Sequence, residues 1–225
     1  MTDENIKLQE VLQLSAELNN VQDVDFLLER ILSRTRTMLM ADAGSIQIKE
    51  GDELVFEYAQ NESLARKRPH GKKSTYVTAR TKINNNSISG YAAHTGNIIN
   101  LADVRNIPAG VPYRFDPAMD ESMGYTTRSM ITIPLKTQRN EILGVMQIVN
   151  ALRPSHAEQH DSKEELAYGI FSSEDEKLAL HFAGIASMIL QRAKMTRTMI
   201  LRMISMAELR DPKETGPHVN RVASY

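Results

Sequence analysis

The segment "RDPKETGPHVNRVASY" sets Glu214 and His218 four residues apart, with Pro217 between them. A carboxylate and an imidazole one helical turn apart suit two ligands of a transition metal. The same spacing also serves a surface ion pair, and nothing after His218 supplies further ligands. Two ligands cannot hold a catalytic metal cluster, so this stretch predicts no hydrolysis by itself. A second group of metal-ligating types, His156, Glu158, His160, Asp161, Glu164 and Glu165, falls in the polar stretch 151–170. That stretch lacks a regular pattern to fix its side chains, so it reads as a surface insertion, with a metal site as the alternative. The chain has no cysteine, which removes disulfides, thiolate metal sites and cysteine nucleophiles from consideration.

The elements that would position these groups follow from composition and period. A chain of 225 residues that is 41% hydrophobic can bury a sizeable core. Twenty-seven basic against twenty-eight acidic residues give a formal charge of -1, so no global field draws nucleic acid or an anionic membrane to it. No apolar run reaches the length of a membrane span and the N-terminus is polar, which predicts a cytoplasmic protein with neither a nucleic-acid nor a membrane partner. Between Ser63 and Ala102 there is no acidic residue, while Arg66, Lys67, Arg68, Lys72, Lys73, Arg80 and Lys82 accumulate. One end of the segment is rich in Gly, Pro and Ser and no aromatic stacking platform is interleaved, so it reads as a solvated loop, with a nucleic-acid groove as the alternative.

Residues 6 to 18 carry a helical stripe, and Asp23 caps a second helix whose buried face is Phe26, Leu27, Ile31, Met38 and Leu39. The period then becomes two. "GSIQIKE" and "ELVFEYA", joined by "EGDE", predict a hairpin with Ile46 and Ile48 on one strand and Leu54, Phe56 and Tyr58 on the other. A short helix enters at Ser87 and ends at Gly96, followed by a brief strand at Ile98 and Ile99. The polar stretch from Asn106 to Gly124 is too long for a simple connection and predicts a lid over a ligand. "RSMITIPL" and "EILGVMQIVN" alternate cleanly and predict the central strands. His94 and His181 fall on helices and read as partly buried structural residues rather than haem ligands.

Ser172 three before Asp175, and Ser173 three before Glu176, predict a capped helix running to Arg210. Such a helix outruns a small sheet domain and must project. Leu178, Phe182, Ile185, Ile189, Arg192, Thr196, Met199, Met203 and Met206 follow coiled-coil steps along it. Its far half therefore needs a cover, which a homodimer or a further domain supplies.

This order of elements predicts an α/β (α+β) sandwich: an antiparallel sheet, flanking helices and a long projecting C-terminal helix. Within it, "SISGYAAHTGNIINLADV", "DESMGYTTRSMITIPL", "NEILGVMQIVN" and "FSSEDEKL" are similar to the GAF domain, a small-molecule-sensing module of cyclic-nucleotide phosphodiesterases, phytochromes and bacterial signalling proteins. The resemblance covers about residues 20 to 192. It implies a ligand pocket between sheet and lid, lined by Ser45, Ile88, Ser89, Asp120, Thr127 and Gln147, with a cyclic nucleotide as a possible ligand. Asp116 and Met123 depart from the residues that cyclic-nucleotide binders carry at those places. The family's scattered signature falls on Asn150, Phe171, Asp175 and Glu176, but its lysine position is Ala151, which leaves Asp175 without that partner unless Arg153 reaches it.

"AELRDPKETGPHVNRVASY" resembles the start of an HD-GYP domain, a metal-dependent cyclic di-GMP phosphodiesterase. That resemblance implies that Glu214 and His218 are the first two ligands of an iron or manganese centre completed by later residues. The resulting expectation is a dimerisation helix at 1–19, a GAF domain at 20–192, a helical linker at 193–210 and the truncated start of HD-GYP at 211–225. The fragment would be non-catalytic and hold no cofactor of its own, and its partners would be a small-molecule ligand and a second copy. The alternative is that the GAF domain is only a dimerisation scaffold for a phosphodiesterase.

Overall fold

The computed structural model describes residues 24–67, 79–154 and 166–210. The predicted helix at 6–18, Asp23, the middle of the basic segment, the ligand types between His156 and Glu165, and both Glu214 and His218 lie outside the described residues.

The chain runs α1 (Val24–Met38), β1 (Ala41–Glu50), β2 (Glu53–Asn61), α2 (Glu62–Lys67), β3 (Arg80–Lys82), α3 (Ile88–Thr95), β4 (Ile99–Leu101), α4 (Ala118–Met123), β5 (Met130–Lys136), β6 (Ile142–Pro154), β7 (Leu166–Gly169) and α5 (Ser173–Arg210). One antiparallel sheet takes the strand order β3-β2-β1-β6-β5-β4, and β7 pairs with the end of β6. Period-two alternation splits each central strand between two faces. Ile46, Ile131, Ile133, Leu135, Met146 and Ile148 form one face and pack with α1 and α5 in the main core. The other face carries Ser45, Gln147 and Thr132 in one row across β1, β6 and β5, beneath α3 and the segment 106–124. Phe182 of α5 is fully buried in the main core, and its truncation to Ala would cost about 3–5 kcal/mol.

Several expectations need correction. The buried stripe of α1 is Leu27, Leu28, Ile31, Leu32 and Thr35, so Phe26 lies outside it, at 47% exposure, and Met38 is only partly buried. In the hairpin the register steps from Ile46 opposite Tyr58 to Gln47 opposite Phe56, leaving Glu57 as an extra residue. This bulge turns Tyr58 to the helical face, where its hydroxyl donates to Asp25 Oδ1 at 2.5 Å, while Phe56 stays on the opposite face. The stretch 151–170, expected to lack regular structure, instead extends β6 to Pro154 and returns as β7. His94 and His181 are exposed rather than partly buried.

The short helix forms as its caps require. Ser87 Oγ accepts from the Gly90 amide, and Gly96 ends the helix at φ 70°, donating to the Ala92 carbonyl. Gly90 is required by close packing: a Cβ there would stand 2.4 Å from the Lys82 carbonyl oxygen. The helix α5 keeps its first turns against β5, β6 and α1, then leaves the core. Met195, Met199, Ile200, Leu201, Met203 and Met206 are all exposed. Among the described residues no helix is long and apolar enough to cross a membrane.

Candidate functional site

Between the polar face of the sheet, α3 and the segment 114–123 lies a cavity of about 1140 Å³. The structure brings Ser45, Ile88, Ser89, Asp120, Thr127 and Gln147 together in its lining. Asp116 and Met123, the two departures, line it as well. Sequence reasoning missed Phe56, Asn86, Arg114 and Phe115, which also face the space. Alternation in β2 could have pointed to Phe56; the lid residues carry no periodic signal.

The floor is an amide chain. Gln47 Nε2 donates to Gln147 Oε1 at 2.8 Å, and Gln147 Nε2 lies 3.2 Å from both Thr132 Oγ1 and Met130 Sδ. Gln47 and Thr132 are fully buried, while Gln147 reaches the cavity. Gln47 Oε1 is buried without a hydrogen-bond partner, a situation that costs about 1–3 kcal/mol.

The lid is fastened rather than loose. Asp120, buried in α4, accepts from the Thr127 amide at 2.7 Å, from Thr127 Oγ1 at 2.7 Å and from Arg105 Nη2 at 2.6 Å. Three of roughly four lone-pair sites on that carboxylate are therefore used within the protein. Its geometry makes Asp120 a fastener of the cavity wall, within the lining where it was expected. The lid's other edge is stitched by the Arg114 amide, which donates to the Asn86 carbonyl at 3.3 Å beside a parallel bridge from Arg114 to Ser87.

A second fastening closes the segment that leads into β5. Tyr125 donates to Asp42 Oδ2 at 2.8 Å and accepts from Asn150 Nδ2 at 2.9 Å. Asp42 Oδ1 in turn accepts from the amide and hydroxyl of Ser63 in α2. Asn150 also donates to the Thr126 carbonyl and accepts from the Arg128 amide, so one buried side chain fixes this segment at Tyr125, Thr126 and Arg128. Its own φ of 58° is a left-handed value that asparagine tolerates better than most residues. Burial, then the Asp42 carboxylate, push the Tyr125 pKa well above the ordinary tyrosine value. Arg36 reaches the Asp42 carbonyl and Gln60 from α1, and burial lowers its pKa against the opposing pull of Glu62 and Asp42.

The remaining signature positions organise the start of α5. Phe171 is buried in the main core. The Ser172 amide donates to Asp175 Oδ2 at 2.8 Å and the Asp175 amide donates to Ser172 Oγ at 3.1 Å, a reciprocal capping box. Arg153 Nη2 lies 2.6 Å from the same Asp175 oxygen. Glu176 accepts from Asn100 Nδ2 rather than from Ser173, whose hydroxyl meets Glu174, so the second predicted box does not form.

The lining carries cations as well. Arg80 is paired with Glu50 and Glu53, but Lys82 and Arg114 have no ion pair among the described residues. Among the described residues no group of three or more His, Cys, Asp or Glu could hold a metal. The arrangement suits binding, with hydroxyls and amides on the sheet side and the exposed cations Lys82 and Arg114 in the lining together with the Asp116 carboxylate.

Comparison with known proteins agrees with this architecture. The GAF domain from a phosphoenolpyruvate-protein phosphotransferase of Coxiella burnetii superposes with a TM-score of 0.63 at 22% identity, covering 87% of this chain and 98% of that one. A free methionine-R-sulfoxide reductase from Neisseria meningitidis, solved in complex with its substrate, shares the fold with a TM-score of 0.58 at 16% identity, over 87% and 95% of the two chains. By sequence, the chain is 27% identical over 157 residues to a dual 3',5'-cyclic-AMP and -GMP phosphodiesterase 11A of Takifugu rubripes. That match takes in 66% of this chain but spans only 17% of the relative. The family model described as the GAF domain matches residues 23–190, and with the fold and pocket above it places this chain in the GAF domain family.

Proposed function

We propose that this chain is the sensory part of a larger signalling protein, that its cavity binds a nucleotide of the cyclic AMP or cyclic GMP class, and that α5 carries the response to an HD-GYP phosphodiesterase. The observation that carries the ligand reading is the cavity itself. Six residues assigned to ligand by resemblance share its lining, with Lys82 and Arg114, which form no ion pair among the described residues. A nucleotide would keep its anionic end by those cations and send its base to the floor of Ser45 and Gln147. The phosphodiesterase relative adds support through its own substrates, cyclic AMP and cyclic GMP.

The path to the output is the second half of α5, with residues 193–210 as linker and 211–225 opening the next domain. A ligand that binds two positions of that helix with different affinity shifts the balance between them. Glu214 and His218 would then supply two ligands of an iron or manganese centre, completed elsewhere. A second copy of the chain, pairing along α5 and the segment 1–19, covers the exposed methionines.

Thermal shifts and calorimetry with cyclic AMP and cyclic GMP test the ligand reading. Stabilisation should follow mass action, reaching about 2.7 kcal/mol at a hundredfold excess over the Kd. Absence of saturable binding by either nucleotide sinks it. The scaffold alternative draws on the exposed stripe of α5, and it predicts the same dimer and the same phosphodiesterase rate in the full-length protein with the cavity filled or empty.

A further inference from the structure

We propose that Lys136, a residue outside the cavity lining, is the positioning residue through which occupancy of the cavity reaches α5. This rests on the nucleotide reading above and on α5 as the path to the output.

The route starts at α3. Its first residues, Ile88 and Ser89, line the cavity together with the capping Ser87. Eight helical residues span about 12 Å and move together, so a shift imposed at the first turn appears at the far end. Gly96 closes that end in a left-handed conformation, and its carbonyl accepts from Lys136 Nζ at 3.0 Å.

The second half of the route is backbone. The Lys136 amide donates to Ser187 Oγ of α5 at 3.1 Å. Ser187 is buried, and its one hydroxyl hydrogen goes to the Ala183 carbonyl at 2.8 Å, so toward Lys136 its oxygen acts as acceptor.

Lys136 is placed for both tasks. The strand β5 has α3 on one face and α5 on the other, and by alternation the Lys136 side chain shares the face of Thr132, on the side of α3. The register of β5 on β6 steps from Leu135 opposite Gly144 to Lys136 opposite Ile142, leaving Leu143 as an extra residue. Such a bulge interrupts the ladder, and the Lys136 amide finds its acceptor on α5.

The point of attachment on α5 is its edge of burial. Ser187 is buried, whereas every residue from Met188 to Met206 is exposed or only partly buried. A pull on Ser187 therefore acts where the packed part of the helix gives way to the projecting part. Lys136 holds the cavity helix by its side chain and the output helix by its backbone, which lets a ligand that repositions α3 favour one position of α5 over another.

The test is hydrogen exchange with mass spectrometry on the whole chain, with and without saturating cyclic AMP or cyclic GMP. In the wild type the bound nucleotide should change exchange between Met188 and Met206 by about fivefold, the lower end of ordinary allosteric couplings. Lys136→Met keeps the stem without the donor, and Ser187→Ala removes the acceptor. Each should still bind nucleotide saturably while less than half of that change remains, and the double variant should lose little more, because both substitutions cut one link. Lys136→Arg, which keeps a donor, should restore part of the response. A merely structural role would lower the melting temperature and leave the ligand-induced change intact. An undiminished change in both single variants, or saturable binding to the wild type with no change in α5, overturns the inference while leaving the nucleotide pocket standing. Failure of both nucleotides to bind removes the nucleotide reading itself, and this inference with it.

Discussion

Arg153 on β6 meets Asp175 in the first turn of α5 at 2.6 Å, and the same guanidinium donates to the Leu39 carbonyl that follows α1. A single side chain thus ties both flanking helices to the end of the central strand. The lysine expected by resemblance at position 151 is a buried Ala151, and the cation has moved two residues along the strand.

Arg153→Ala should lower stability by about 1.5–3 kcal/mol, the range for hydrogen bonds to a charged group, because Asp175 and the Leu39 carbonyl lose a donor together. Urea denaturation measures this. A change within experimental error would mean that the Ser172 capping box alone holds the start of α5.

Asp120→Ala leaves Arg105 and the Thr127 amide without their shared acceptor. The loss should be about 3 kcal/mol, as for a broken pair with one buried member, and ligand affinity should fall with it as the cavity wall loosens. Asp120→Asn, which keeps an acceptor, should recover part of both. Full ligand affinity in the alanine variant would show that the wall is held by other contacts.

Tyr58 and Tyr125 predict an alkaline limit. Burial comes first among the causes that raise both pKa values, followed by hydrogen bonding to Asp25 for Tyr58 and the charge of Asp42 for Tyr125. The folded state then holds these protons more tightly than the unfolded chain. Their contribution is fully present below the unfolded tyrosine pKa of about 10 and drains away as pH climbs beyond it toward the folded values. Denaturation midpoints should be level from pH 7 to about 9 and drop by pH 11. Tyr125→Phe should shrink the drop, at the expense of stability at neutral pH.

Met199→Glu with Met203→Glu should shift a dimer toward monomer in analytical ultracentrifugation while leaving the ellipticity of the folded core unchanged, since both side chains are exposed and lie beyond the packed part of α5. Unaltered association would place the subunit contact elsewhere.

Much of this architecture is visible in the residues because local rules govern it. Ser87 and Gly96 announce α3 through capping, β5 and β6 declare themselves by strict alternation, and Ser172 with Asp175 marks the start of α5. The failures share a cause in non-local structure. Alternation does not count residues on the opposing strand, so Glu57 as a bulge is invisible from β2 alone. The six-residue helices α2 and α4 are too short for a period to emerge. The strand β7 exists through pairing with β6 and has little pattern of its own. At the cavity, resemblance assembled the lining, but Asp120's commitment to Arg105 and Thr127 is a matter of geometry that spacing cannot express. The link from Gln47 to Gln147 spans a hundred positions and follows only from strand register.

The extra residue at Glu57 has an evolutionary corollary. Excising it would leave Phe56 opposite Gln47 and Tyr58 opposite Ile46, so both rings keep their present sides of the sheet, whereas excising a paired residue of β2 slips the register beyond it. Such a slip strips the binding chamber of an aromatic wall or frees the first helix from its phenolic tether. A one-codon deletion in this strand is therefore mild at Glu57 and damaging at its paired positions, and an alignment that sets the gap one residue off will confuse inward with outward positions.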